Sequence, residues 1–248
     1  MQTEHIHFDK IDSTNTWAKQ NIDLFPQNAL TVVSAGEQTA GHGRMKHQWL
    51  SPPSQNIYAT FCFWVPLGFT YLNNISQLLA ISCVEVLQTC GFAMHLKWPN
   101  DIVTPSKKKV AGILCETVIR GNQVCVLAGI GLNVNMPLEL LETIDKPATS
   151  LFAESGRPFD IEALLKQLSD RFATDLVMFK KMGLNSIIEK YRGLILCKPG
   201  EKIYFHSGGV LVEGVFDSIA DDGSLYLRMQ NGELRNFLSG EILVHVHG

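Results

Sequence analysis

The sequence predicts an α/β (α+β) domain over residues 1–196 and a small β-barrel over residues 197–248. In the first part, short apolar stretches typical of strands alternate with stretches whose apolar residues recur every three or four positions, as in helices. In the second part, strand-like stretches are separated by turn pairs, namely Gly208-Gly209, Asp222-Gly223 and Asn231-Gly232. Glycine supplies the positive φ that such turns need, which favours a chain of hairpins.

The first half of the chain predicts the following elements, in order: a strand over 4–11, a helix over 16–24 after the capping run 12–15, a strand over 29–34, a strand over 56–65, and a helix that begins at Asn73 or Asn74 and ends at Gly91. A strand that stops at Pro99, a turn with a new strand after it, and a hairpin of strands 110–119 and 124–134 follow. Residues 124–134 read either as an edge strand, open to pairing between subunits, or as a central strand.

The stretch after the hairpin predicts mostly helices. A short helical piece is expected over 138–141, within a loop-rich connection. Asp160 is a suitable N-cap for a long helix with a 3.6-residue apolar period, and Gly183 separates that helix from a shorter one over 185–191. The apolar stripe of the long helix predicts core packing.

Composition excludes several classes of protein. The net charge is −3, so no strong electrostatic footprint for DNA is expected. Neither an 18-residue apolar stretch nor a signal peptide is visible.

Six cysteines occur without a C-x-x-C pair, which predicts reduced thiols and a cytoplasmic protein. His245 and His247 form an i, i+2 pair, which we interpret as exposed histidines.

The stretch 39–49 has no apolar period and contains two glycines, an arginine and a lysine, so it predicts a loop. Glycines allow backbone N–H groups to approach a ligand, and Arg44 can fork onto a phosphate or a carboxylate. We interpret the stretch as an anion-binding loop, while a solvated surface loop remains the alternative.

Polar residues also cluster at two other places. Lys97, Asn100 and Asp101 meet at one strand junction, either as a structural ion pair or as a site for phosphate, nucleotide or magnesium. Ser13 and its neighbours either cap the first helix only or also face a polar ligand. Lys109 is either a solvated surface charge or part of the same site as Lys97, Asn100 and Asp101.

Three glycines interrupt the paired strands 110–119 and 124–134: Gly112, Gly129 and Gly131. Glycine weakens a strand interior unless the missing side chain serves a purpose. The pattern therefore predicts a floor on which a flat ligand lies.

These motifs together resemble the biotin protein ligase family. The resemblance covers essentially the whole chain and rests on five motifs: Ser13-Thr14-Asn15, Gln38-Thr39-Ala40-Gly41-His42-Gly43-Arg44, Lys97-Trp98-Pro99-Asn100-Asp101, Lys109-Val110-Ala111-Gly112-Ile113-Leu114, and Gly129-Ile130-Gly131-Leu132-Asn133. The run from Lys97 to Asp101, followed by the run from Lys109 to Leu114, is its most specific part.

The resemblance implies a mixed-sheet catalytic domain of the biotin/lipoate ligase type and an SH3-like C-terminal barrel. It implies ATP, Mg²⁺ and biotin as reactants, and a biotin carboxyl carrier protein as partner. Biotin would be activated as biotinyl-5'-AMP and then transferred to a lysine. Because the Ser-Thr-Asn motif begins at residue 13, the short form without a DNA-binding segment is expected.

The resemblance also implies roles for individual residues. Catalysis falls to Lys109, between the biotin carboxylate and the α-phosphate, to Arg44, on the adenylate phosphate, and to Asp101, as a metal ligand. We add the hypothesis that Asp101 also helps to deprotonate the acceptor lysine. Biotin is expected to contact Ser13, Thr14, Asn15, Gln38, Gly41, His42, Gly43, Arg44, Lys109, Gly112, Gly129 and Gly131. The adenylate is expected to contact Arg44, Trp49, Lys97, Asn100 and Asn133.

The chain departs from the family pattern at His42, where the family commonly has an arginine. Histidine forms no bidentate fork and is charged only at acidic pH. We therefore expect the intermediate to leak more readily, or binding to depend more on pH. Two alternatives remain: a lipoate or octanoate ligase or transferase of the same fold, and a non-catalytic biotin-binding regulator.

Overall fold

The computed structural model describes residues 1–207 and 210–243. The first part of the chain forms two helices and seven strands: β1 (Gln2–Ile11), α1 (Thr14–Gln20), β2 (Ala29–Gln38), β3 (Ile57–Pro66), α2 (Ile75–Thr89), β4 (His95–Lys97), β5 (Asp101–Val103), β6 (Lys109–Arg120) and β7 (Gln123–Leu132). The predicted order of elements is thus confirmed over this part.

Four helices and five strands follow: α3 (Leu138–Leu141), α4 (Leu151–Ser155), α5 (Ile161–Met182), α6 (Ile188–Leu194), β8 (Lys202–Ser207), β9 (Val210–Ile219), β10 (Leu225–Arg228), β11 (Leu234–Phe237) and β12 (Glu241–Leu243). The Asp160 cap is confirmed, since its Oδ1 accepts the Ala163 N–H at 3.0 Å.

β1 to β7 form one sheet in the order β1-β2-β3-β7-β6-β5-β4. Only β1 and β2 pair in parallel, so the sheet is mixed, as expected. β7 lies between β3 and β6, with Thr60 opposite Gly129 and Gly112 opposite Gly131. The edge-strand alternative for residues 124–134 is therefore wrong, because both sides of β7 are hydrogen-bonded within the sheet.

Apolar side chains cover both faces of this sheet. On β3, Phe61 and Phe63 point into the larger core, which α2 and α5 complete, while Cys62 and Trp64 point to a smaller core beneath α1. Alternate strand residues face opposite sides of a sheet, so β3 contributes to both cores. Phe172 of α5 lies 5.0 Å from Phe61, measured between ring centroids.

β8 to β12 form a second, antiparallel sheet in the order β11-β10-β9-β8-β12. This arrangement confirms the predicted small C-terminal β unit. Its turn at Gly223 contacts the first part of the chain, since the Gly223 carbonyl accepts the Gln77 Nε2–H at 2.8 Å and the Trp98 Nε1–H at 3.2 Å. The division at residue 197 stays a prediction.

The predicted bounds differ from the structure at three places, and one helix was not predicted. The first helix spans Thr14–Gln20 and not 16–24, because residues 22–24 form a separate 3₁₀ turn. β2 does not end at residue 34 but continues to Gln38, because Ala35, Glu37 and Gln38 pair with β1. The five-residue helix α4, capped by Ser150, is too short to show an apolar period. The last helix begins at Ile188 because residues 183–186 form a 3₁₀ turn. Gly208-Gly209, His245 and His247 lie outside the described residues.

All six cysteines are free, which confirms the prediction of thiols. Among residues 1–207 and 210–243, no helix is both long and apolar enough to cross a lipid bilayer.

Candidate active site

A cavity of about 520 Å³ opens between the N-terminus of α1, the loop 39–50, the paired strands β6 and β7, and the segment 143–148. Cavities of this size typically hold one small molecule. Five charged residues line it: Arg44, Asp101, Lys109, Asp145 and Lys146. The cavity thus combines an apolar strand floor with both cationic and anionic groups.

Most of the predicted site residues meet at this cavity. Those that line it are Ser13, Thr14, Asn15, Gln38, His42, Gly43, Arg44, Trp49, Asn100, Asp101, Lys109, Gly112, Gly129, Gly131 and Asn133. The exceptions are Gly41 and Lys97. Residues from β2, β5, β6, β7 and α1 are far apart in sequence, so the fold is what brings them together.

Gly41 is buried and lies behind the cavity wall. A Cβ atom at this position would lie 2.7 Å from Ser51 Oγ, 2.8 Å from Gln38 Nε2 and 2.9 Å from the Trp49 carbonyl. Glycine at position 41 therefore allows the loop to pack on Gln38. Lys97 lies on β4, opposite Asp101 on β5, and does not reach the cavity wall.

Lys109 and Asp101 form an ion pair at the cavity wall, with 2.6 Å between Lys109 Nζ and Asp101 Oδ1. The side chains are only 30% and 15% exposed, so water screens the pair less than a surface pair. The ammonium also lies 5.3 Å from the centre of the Trp49 ring. Asp101 therefore contacts Lys109, and its role as a metal ligand stays a prediction. The alternative of a freely solvated Lys109 is wrong.

Arg44 is held between the two sheets. Its Nη1 donates to the Gly240 carbonyl at 2.8 Å, just before β12, and to Asn100 Oδ1 at 3.3 Å. A guanidinium carries five N–H donors, and these two contacts engage only one of its nitrogens. The C-terminal sheet therefore positions a cation at the cavity without using all its donors.

The loop 39–49 folds into a tight turn. The Gly43 N–H donates to the His47 carbonyl at 2.8 Å, and His42 bridges to Gln48. Met45 and Lys46 at the tip have φ values of 53° and 61°. L-residues adopt this left-handed region at a cost of about 1–2 kcal/mol each, so the loop is a defined turn with a strained tip.

Hydrogen-bonding groups cluster at the α1 end of the cavity. The Ser13 hydroxyl accepts the Thr16 N–H at 3.4 Å and so caps α1, while Ser13 also lines the cavity. The Thr14 N–H donates to Gln38 Oε1 at 2.9 Å. Ser13 is therefore the cap of α1 and also lines the cavity, and its contact with a ligand stays a prediction.

The three strand glycines make room for protein side chains. A Cβ at Gly129 would overlap the Asn15 amide, and one at Gly131 would overlap the Trp49 indole. A Cβ at Gly112 would lie 2.9 Å from Lys109 Nζ. The predicted floor exists, but Asn15, Trp49 and Lys109 lie on it. Local sequence could not reveal this, because the partners come from other elements.

The segment 143–148 was not predicted as part of the site. It is joined to Lys109, whose N–H donates to the Pro147 carbonyl at 2.8 Å. Asn133, predicted for the adenylate, donates from Nδ2 to the Thr149 carbonyl at 3.0 Å and so holds this segment. An irregular segment carries no periodic signal, and only its contacts with β6 reveal that it lines the cavity.

Comparison with known proteins gives a consistent assignment. Residues 7–133 match the model of the biotin/lipoate A/B protein ligase family. The biotin–[acetyl-CoA-carboxylase] ligase of Paracoccus denitrificans is 31% identical over 226 residues, which cover 88% of this chain and 92% of that protein. The bifunctional ligase/repressor BirA of Salmonella typhimurium is 28% identical, over 94% of this chain and 71% of that protein.

The fold agrees with a solved structure of the biotin protein ligase from Aquifex aeolicus in complex with biotin and ATP. The two chains superimpose with a TM-score of 0.80 and 27% identity, and 97% of each is covered. The chain belongs to the biotin/lipoate A/B protein ligase family. Within this family it is an enzyme of the biotin–protein ligase type.

Proposed function

We propose that the chain uses MgATP to attach biotin to one lysine of a biotin carboxyl carrier protein. A biotin carboxylate oxygen attacks the α-phosphorus of ATP, and the bond to pyrophosphate breaks. The lysine amine of the carrier then attacks the acyl carbon of biotinyl-5'-AMP, and AMP leaves. The Paracoccus relative, named as a biotin–[acetyl-CoA-carboxylase] ligase, and the Aquifex protein with biotin and ATP both support this reaction.

One observation carries the proposal: a single cavity holds a polar hydrogen-bonding end, at Thr14 and Gln38, and two cations, Lys109 and Arg44. The first step brings one anion to another, and negative charge builds up on the phosphate oxygens. Fixed positive groups offset that repulsion and stabilise the transition state. Thr14 and Gln38 would then hold the ureido ring, and Lys109 would contact the carboxylate and phosphate.

Asp101 keeps the Lys109 ammonium at the cavity wall before ATP arrives. The short ion pair fixes the position of the charge, and it restrains a long side chain that would otherwise lose entropy on binding. When phosphate oxygens reach Lys109, they compete with the carboxylate for its three N–H donors. The freed Asp101 carboxylate is then available to accept a proton from the acceptor lysine.

Mg²⁺ enters this proposal as part of the MgATP substrate. Within the described ranges 1–207 and 210–243, no group of three or more His, Cys, Asp or Glu residues could hold a metal ion. Mg²⁺ is commonly bound through substrate phosphates with few protein ligands, so a resident metal site is not required.

The C-terminal unit, residues 197–248, would serve the first step by holding Arg44 through the Gly240 carbonyl. His42 would retain the intermediate less firmly than an arginine, because a neutral imidazole offers one N–H donor and no bidentate fork. Release of biotinyl-5'-AMP, measured by trapping free intermediate, should therefore be faster for the wild type than for His42→Arg. Equal release rates would contradict this role.

The proposal is tested with the intact chain, MgATP, biotin and a carrier domain. Wild type should release pyrophosphate and label the carrier. Lys109→Met should slow pyrophosphate release by roughly 10²–10³-fold, the usual effect of removing one transition-state charge contact. Lys108→Met is the matched control, since this neighbouring side chain is exposed.

Three results would contradict the proposal. Carrier labelling with lipoate but not with biotin would assign the chain to the other branch of the family. Full pyrophosphate release by Lys109→Met would remove the central role of that cation. Equal loss in Lys108→Met would mean that general charge, not the cavity, matters.

A further inference from the structure

A chain of hydrogen bonds runs behind the polar end of the cavity. Lys19 Nζ donates to Glu116 Oε1 at 2.8 Å, and Asn15 Nδ2 donates to Glu116 Oε2 at 3.2 Å. Thr60 Oγ1 lies 2.6 Å from Asn15 Oδ1 and 2.9 Å from Thr14 Oγ1. The chain therefore links a surface lysine to the Thr14 hydroxyl, which lines the cavity.

The first links fix the orientation of the Asn15 amide. A carboxylate and a backbone carbonyl only accept hydrogen bonds, and Asn15 Nδ2 faces both Glu116 and the Leu114 carbonyl, each at 3.2 Å. Burial disfavours the charged form of Glu116, but hydrogen bonds from Lys19 and Asn15 and the nearby His42 outweigh it and lower the pKa of this carboxyl group. Glu116 thus stays ionised at neutral pH, and Asn15 Oδ1 must face Thr60.

The orientation of the Asn15 amide in turn fixes the hydroxyl of Thr60, which is fully buried. Asn15 Oδ1 only accepts, so the single Thr60 proton goes to it. Thr60 Oγ1 is left as an acceptor for Thr14. The Thr14 proton therefore points to internal acceptors, either Thr60 Oγ1 or Gln38 Oε1 at 3.2 Å. Thr14 Oγ1 presents only lone pairs to the cavity.

Gln38 is oriented from the other side. Its Oε1 accepts the Thr14 backbone N–H at 2.9 Å, and its Nε2 donates to Ser51 Oγ at 3.1 Å. The Ser51 hydroxyl donates onward to the Trp49 carbonyl at 3.0 Å. One Nε2 hydrogen of Gln38 is thus used, and the second can serve a ligand. An acceptor beside a donor complements the N–H and C=O edge of a cyclic urea.

We propose that Thr60, oriented by Asn15 and Glu116, is a positioning residue that fixes Thr14 Oγ1 as an acceptor and so selects a ligand with an N–H group at this end of the cavity. This inference rests on the proposed function, in which the ligand is biotin. If the ligand had a ring oxygen in place of that N–H, the lone pairs of the ring oxygen would face the lone pairs of Thr14 Oγ1, and no hydrogen bond would form. Sites built around one hydrogen bond discriminate strongly against ligands that lack it.

The test measures ligand preference by isothermal titration calorimetry of the whole chain. The two ligands are biotin and the cyclic carbamate in which ring oxygen replaces the ureido N–H. Wild type should prefer biotin. Thr60→Val keeps the shape but removes the nearer of the two internal acceptors of the Thr14 proton, so that only Gln38 Oε1, at 3.2 Å, still restrains it. The Thr14 hydroxyl can then also turn its proton toward the ligand, and the preference should fall about tenfold, roughly one hydrogen bond. Thr60→Ser keeps the hydroxyl and should restore the preference.

Thr31→Val is the matched control. Thr31 is equally buried on the neighbouring strand β2, and its hydroxyl has no hydrogen-bond partner within residues 1–207 and 210–243. This variant should keep the wild-type preference. In turnover assays, Thr60→Val should raise the KM for biotin more than it lowers kcat, because the ligand edge lies away from the reacting carboxylate.

Each outcome supports the proposal or overturns it. An unchanged preference in Thr60→Val, or an equal loss in Thr60→Ser or Thr31→Val, overturns the positioning role alone. If Thr60→Val does not fold, Thr60→Cys replaces the hydroxyl by a weaker acceptor of similar size, and an unchanged preference there has the same meaning. A wild type that binds no biotin overturns the proposed function and this proposal with it.

Discussion

The turn of residues 220–224 fastens the C-terminal sheet to α2, and a substitution in it should loosen the whole unit. Gln77 Nε2 donates to the Gly223 carbonyl, and Asn74 Nδ2 donates to the Asp222 carbonyl, each at 2.8 Å. Both side chains are buried. Gly223 itself has a φ of +80°, which favours glycine.

Gly223→Ala should disturb both the turn and its contacts. Left-handed φ costs an L-residue about 1–2 kcal/mol. The new Cβ would also overlap Gln77 Oε1 and lie 2.6 Å from Asn74 Nδ2. Displacing these amides leaves buried donors unsatisfied, at about 1–3 kcal/mol each. We expect the free energy of unfolding to fall by about 3–8 kcal/mol, much of a typical total of roughly 5–15 kcal/mol.

Gly232→Ala provides the matched control. Gly232 lies in another turn of the same sheet, has a φ of +81°, and has nothing within 4 Å of the added Cβ. It should lose only the backbone contribution of about 1–2 kcal/mol. Urea denaturation followed by tryptophan fluorescence measures both, because Trp98 Nε1 also donates to Gly223. Equal destabilisation of the two variants would refute the reasoning.

Three further predictions concern the catalytic sheet. Gly131→Ala should leave the chain folded but slow pyrophosphate release at least tenfold, because its Cβ would displace the Trp49 indole across the cavity. Thr31→Val should raise the free energy of unfolding by about 1 kcal/mol, since it removes a buried hydroxyl that has no partner in the described part of the chain. Glu116→Gln should lower stability by roughly 1–2 kcal/mol at pH 7, because the hydrogen bonds from Asn15 and Lys19 lose their charged acceptor.

The effect at Glu116 depends on pH in a defined direction. The pKa of its carboxyl group in the folded chain is lowered from 4.5. The charged group therefore stabilises the fold above pH 4.5, and this contribution is lost as the pH falls below that value. Urea titrations of wild type and Glu116→Gln should converge in acid. A difference that grows in acid would contradict the assignment.

The predictions for Gly131→Ala and Thr31→Val each have a result that would contradict them. Gly43→Ala changes another cavity glycine, but its Cβ would meet only the His47 carbonyl at 3.8 Å. Pyrophosphate release should therefore be much less affected than in Gly131→Ala, and equal loss would contradict the steric explanation. For Thr31, a loss of stability in the valine variant, measured by thermal unfolding, would mean that the hydroxyl is satisfied by a bound water.

The predicted elements and site residues agree with the structure wherever the signal is local. The continuous, aromatic-rich apolar run of β3 and the period of 3.6 on α5 report burial directly. Pro99 and Asp160 mark the ends of β4 and the start of α5 by their own backbone chemistry. The site motifs are contiguous in sequence, so each loop and strand junction could be identified without knowing which elements pack against it.

The errors occur where the partner of a residue is distant in sequence. The order of the strands, and therefore the central position of β7, depends on pairings that no local pattern encodes. Nor does any local pattern encode the ion pair between Asp101 and Lys109. Segment 143–148 has no periodicity, and only its bond from Lys109 makes it part of the cavity.

The sequence by itself determined the class of fold, the family resemblance and a set of site residues of which all but Gly41 and Lys97 line the cavity, because these follow from residue type and local spacing. Only the tertiary structure decided what those residues contact. It placed Trp49 and Asn15 on the strand glycines, joined Arg44 to the C-terminal sheet through Gly240, and set Thr60 behind Thr14. Hydrogen-bond direction and charge pairing depend on distances between atoms from separate elements, and such distances exist only once the chain has folded.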